Sequence, residues 1–123
     1  MRVRTLLWAL AAALCLTACG ATPPQAPFDQ AKQLDRATSG ISTACGEKAQ
    51  VTAFPGEHRQ DLETLEATAE SSARRLASVY RLDSKWIYQG ETVRQIASDG
   101  VSMLRDCGLT QAAATLAALT AQR

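Results

Sequence analysis

ETVRQIASDGVSMLRDCG, residues 91–108, sets the fold class. Its apolar and small side chains fall at Val93, Ile96, Ala97, Gly100, Val101, Leu104 and Cys107. Steps of three and four return to one face of a 3.6-residue helix. Gly108 follows directly, and glycine supplies the left-handed residue on which helices commonly end. The spacing predicts a helix from about Glu91 to Cys107 with one packed face.

The same period extends in both directions. Downstream, Leu109, Ala112, Ala113, Leu116 and Leu119 make an apolar side for a helix over Thr110–Ala121, with Thr110 as its expected N-cap. Upstream, Leu62, Leu65, Ala69, Leu76, Val79 and Tyr80 form the stripe of a helix from about Glu57 to Tyr80, interrupted at Ser72. Its acidic start (Glu57, Asp61, Glu63) and basic end (Arg74, Arg75, Arg81) suit the helix dipole. Phe28, Ala31, Leu34, Ala37, Ile41, Ala44 and Cys45 mark a first helix, weakened in its middle by Ser39 and Gly40. A loop is expected from Gly46 to Gly56 and an irregular connection from Leu82 to Gly90. Only Gln50–Phe54 weakly suggests a strand.

Cys45 and Cys107 each precede a glycine, which predicts that each ends a helix. In an up-down-up path the first and third helices run the same way, so their C-termini meet. The expectation is therefore a small all-α bundle of three to four helices, up-down-up, with a Cys45–Cys107 disulfide. Closing a loop of about 60 residues contributes ~4 kcal/mol on the chain-entropy account. A metal or redox role for the pair lacks the usual CxxC spacing.

The N-terminus carries a different signal. Arg2 and Arg4 precede an apolar run from Leu6 to Leu16, then small Thr17 and Ala18, then Cys19 and Gly20. Basic start, short apolar core and small-residue exit are the parts of an export signal. Leu16-Thr17-Ala18-Cys19 resembles the lipobox of bacterial lipoproteins. The resemblance implies cleavage of residues 1–18, lipid (palmitate among it) on Cys19 and acylation of the new N-terminus. It covers only about the first 20 residues. Class members carry two or three chains, which makes a stable anchor where one chain holds only reversibly. Gly20 follows where Asp would retain such a protein at the inner membrane. The expected location is the periplasmic face of the outer membrane in a diderm, or the outer face of the cytoplasmic membrane in a monoderm. Residues 19–27, with three prolines between Ala21 and Pro27, read as a lipidated tether; residues 28–123 read as the helical domain.

Charge narrows the partners. The chain has 13 basic and 12 acidic residues. Without Arg2 and Arg4 the balance is 11 against 12, near neutral, with no basic stripe for nucleic acid.

Chemistry-bearing residues are few. His58 is the one histidine, beside Glu57 and near Asp61, and reads as a solvated helix-start residue. Asp61, Glu63, Glu66 and Glu70 read as the wet face of the second helix, with Glu70–Arg74 a favourable pair. No catalytic set, cofactor motif or metal-ligand spacing is visible, so the expectation is a non-enzyme without cofactor. Lys85-Trp86-Ile87-Tyr88 is the candidate interaction segment, because Trp and Tyr are enriched at interfaces. The competing expectation is that Trp86 and Ile87 plug one end of an alanine-rich bundle. The sequence therefore suggests an envelope lipoprotein with an accessory, structural or protein-interaction role, its partners the membrane through Cys19 and another envelope protein. The alternative is a small-ligand or cell-wall glycan module using Trp86 and Tyr88.

Overall fold

A computed structural model describes residues 24–53 and 59–121. The signal segment, Cys19, the start of the tether, and the stretch holding Phe54 and His58 lie outside the described residues. The described chain is four helices and a minimal hairpin: α1 (Phe28–Ala53), α2 (Arg59–Leu82), β1 (Ile87–Tyr88), β2 (Glu91–Thr92), α3 (Val93–Asp106) and α4 (Thr110–Ala121).

The path is up-down-up-down. A methyl group at Gly100 of α3 would meet Ile41 of α1, Leu76 of α2 and Leu116 of α4, so all four helices converge there. Farther along, Cys45 of α1 is bonded to Cys107 at the end of α3, which makes α1 and α3 parallel as expected. The two cysteines are separated by 62 positions, with Cα atoms 5.5 Å apart, inside the range a disulfide spans. Leu34, Leu76, Leu104, Leu109 and Leu116 are fully buried, and alanines fill much of the remaining core, among them Ala37, Ala69, Ala73 and Ala112. Small side chains let the helices approach closely.

The end of α3 follows its sequence signal closely. Cys107 is the C-cap and Gly108 has φ of +87°. The Gly108 N–H donates to Arg105 O (3.1 Å) and the Leu109 N–H to Leu104 O (2.9 Å). That is the paired 5→2 and 6→1 bonding of a Schellman cap, with its hydrophobic contact in the buried Leu104 and Leu109. At the other end Thr92 is the N-cap, its Oγ1 accepting from Gln95 N–H at 3.1 Å.

Several expectations change. Cys45 does not end a helix. α1 runs on through Gly46 to Ala53, because residues 47–53 favour helix and Val51, seven residues after Ala44, keeps the buried face going. That also removes the weak strand at Gln50, whose residues 50–53 are helical. Thr110 is the first helical residue rather than the cap, since the Ala113 N–H already donates to Leu109 O.

Ser72 and Gly40, read as separate weaknesses, are two halves of one contact. Ser72 is buried, and a Cβ built on Gly40 would overlap its Oγ. Here α1 and α2 come together with no room for a side chain. On α2, Glu66 and Glu70 are half-buried rather than fully wet. Glu70 Oε1 accepts from Thr115 Oγ1 of α4 (3.1 Å) and from Arg74 (3.0 Å), the second being the expected pair.

The connection before α3 is ordered rather than irregular. β1 pairs antiparallel with β2, Ile87 opposite Thr92 and Tyr88 opposite Glu91. Gln89 (φ +50°) and Gly90 (φ +81°) make the two-residue turn, both in the left-handed region that such hairpins need. The tether joins the same small sheet: Ala26 N–H donates to Ile87 O (2.9 Å), and Ile87 N–H to Pro24 O (3.0 Å). The folded unit thus takes in Pro24–Pro27, and only residues 20–23 separate it from Cys19.

Candidate functional site

The hairpin positions the aromatic segment. Asp83 Oδ1 accepts the Lys85 N–H (2.9 Å), turning the chain out of α2. Ser84 O and Trp86 O accept from Arg94 N–H and Val93 N–H, each at 2.9 Å, tying the segment to the first turn of α3. Trp86 and Tyr88 are half-buried and pack against the hydrophobic core. The segment packs both aromatics against the core as a partial plug.

Tyr88 does more than fill space. Its hydroxyl donates to Asp35 Oδ1 of α1 at 3.3 Å, linking hairpin to helix. Burial, then the negative charge of Asp35 and this hydrogen bond, raise the Tyr88 pKa above its usual value near 10. All three favour the neutral phenol, so near neutral pH Tyr88 stays a donor.

Beside Tyr88 a groove of about 280 Å³ opens between α1 and α3. Ile41, Ile96 and Met103 give it an apolar floor, while Gln89, Glu91 and Asp99 give it a polar rim. Two carboxylates and no lysine or arginine line it. Met103 is 45% exposed, an unusual position for so large an apolar side chain in this domain. Asp99 is partly engaged, accepting from Gln95 Nε2 at 3.0 Å. Such a groove suits one apolar side chain flanked by a cation or an N–H donor. It sits at the small end of the ~300–1,000 Å³ usual for ligand pockets.

The structure therefore joins Tyr88 to a groove, while Trp86 packs on the core and does not line it. Cys45 and Cys107 are together; Cys19 and His58 lie outside the described residues. Sequence reasoning missed Asp35, Asp99 and Met103. Their signal was faint: Asp99 and Met103 fall on the polar side of the α3 period, where a lone methionine is ordinary. Comparison with protein-family models, curated proteins and solved structures finds no match to this chain.

Proposed function

We propose that this chain is a bacterial envelope lipoprotein, anchored through Cys19, whose helical domain is a non-enzymatic adaptor for another envelope protein. The lipobox-like Leu16–Cys19 supports the anchor. The groove beside Tyr88 supports the adaptor: its apolar floor and acidic rim suit a side chain and a neighbouring basic residue on a partner segment. The glycan reading is weaker, because sugar recognition uses open aromatic faces, whereas Trp86 and Tyr88 pack on the core and the Tyr88 hydroxyl is spent on Asp35.

A photo-crosslinker at Met103 in living cells tests the adaptor role. The expected result is one reproducible protein adduct that disappears when Asp99→Lys reverses the rim charge without lowering the melting temperature. Glycan retained in place of protein, or an adduct indifferent to Asp99→Lys, would overturn the reading.

A further inference from the structure

The anchor and the fold together orient the domain. We infer that the hairpin end of the bundle rests on the bilayer, with Phe28 and Leu82 entering the interfacial layer; this rests on the lipidation of Cys19 proposed above. The first ground is the length of chain available. Pro24 is already hydrogen-bonded to Ile87, and from Cys19 to Pro24 there are five Cα steps, at most about 18 Å. α1, with 26 residues, carries the chain about 39 Å away from that point. A lipid at Cys19 therefore reaches the half of the bundle that holds the hairpin, and the far end lies beyond it.

The second ground is what that end presents. Phe28 opens α1 and Leu82 closes α2, so the two antiparallel helices bring both to this end. They are 74% and 62% exposed, and with Met103 they are the large apolar side chains left open among the described residues. The Lys32 ammonium lies 5.0 Å from the Phe28 ring centroid, the pairing of apolar body and cationic head that suits a headgroup layer. Arg81, Leu82, Asp83, Lys85 and Arg94 line one depression at the end of α2.

Charge runs the same way. The hairpin end has Lys32, Arg36, Arg81, Lys85 and Arg94 against Asp29, Asp35, Asp83 and Glu91, and Asp83 accepts a backbone N–H. The far end has Lys48 and Arg105 against Glu47, Glu63, Glu66 and Asp106. Anionic headgroups attract the first and repel the second within a Debye length.

The test uses the full chain expressed in a bacterium, extracted from membranes and reconstituted. Vesicles are phosphatidylethanolamine with phosphatidylglycerol, with or without chain-brominated lipid. Phe28→Trp and Met103→Trp are compared, each exposed and each adding one reporter to the common Trp86. Intact mass establishes the lipid on Cys19 first. The expected result is quenching by brominated lipid about twofold or more greater at position 28 than at 103, as for a side chain sunk to the headgroup–acyl boundary. A mass without lipid overturns the anchor and this inference with it. A lipidated Cys19 with equal quenching at both positions, or none at either, leaves the anchor standing and overturns the docked face alone.

Discussion

Replacing Gly40 by alanine sets two physical effects against each other. In an exposed helix the change would stabilise, since glycine costs ~1 kcal/mol relative to alanine. At this position the new methyl would overlap Ser72 Oγ and sit 3.1 Å from Ser72 Cβ. To seat it, Ser72 must rotate or α1 and α2 must part. Overpacking of this kind costs about 1–3 kcal/mol. Subtracting the propensity gain leaves a net loss of about 1 kcal/mol, within a range of ~0–2. Urea denaturation of the oxidised protein, followed by helical ellipticity, would show this as a midpoint lower by roughly 0.3–1 M at a typical slope. Ser72→Ala in the same background removes the Oγ and leaves only the tight Cβ contact. The double variant should recover most of the loss, giving a coupling of ~1 kcal/mol between the two sites. A Gly40→Ala protein more stable than its parent, with no coupling to Ser72, would refute the close approach of α1 and α2.

Three further outcomes follow from the structure. Reduction of Cys45–Cys107, or replacement of both by serine, should cost ~4 kcal/mol, read as the shift in unfolding free energy with and without reductant. Gly108→Ala should cost about 1 kcal/mol, because an L side chain at φ +87° is strained and the cap of α3 depends on that conformation; an unchanged melting temperature would contradict it. Tyr88→Phe bears on alkaline stability. The folded pKa of Tyr88 is raised, so above pH ~10 the unfolded chain loses its phenolic proton first and stability falls with rising pH. Melting curves below and above that pH should show a smaller alkaline loss in Tyr88→Phe than in the parent.

Periodicity made the helices legible, because each buries one stripe and the stripe repeats. Leu34, Ile41, Leu65, Leu76, Leu104 and Leu116 all lie where the 3.6-residue period put them. Cys107-Gly108 marked a true helix end because the chain must reverse there. Cys45-Gly46 did not, because the residues beyond Gly46 still favour helix and Val51 still finds the core. The dipeptide is the same in both places, and only packing distinguishes them. Gly40 and Ser72 looked like defects for the same reason: each is poor in its own helix, and their value lies in the contact between helices. The hairpin was hidden by its length of two residues per strand and by Gln89 in a position usually given to Asn or Asp.

The site was less legible than the fold. Trp86 and Tyr88 drew notice as aromatics, and the structure shows both packed against the core. The groove beside Tyr88 needs Thr38 and Ile41 from α1, Asp99 and Met103 from α3 and the turn at Gln89, brought together across more than 60 positions of chain. No local pattern carries that convergence. Pairing of Pro24 and Ala26 with Ile87 was equally hidden, since a proline-rich stretch reads as solvated chain.

The central claim is that this bundle is held to a membrane by lipid on Cys19. Intact and N-terminal peptide mass spectrometry of the membrane fraction tests it most directly, with Cys19→Ser alongside. The account predicts a chain beginning at Cys19 that carries thioether-linked lipid and an acylated amine, and a Cys19→Ser protein that leaves the membrane fraction. A mature chain with an unmodified Cys19, or one cut elsewhere and still membrane-bound, would contradict it.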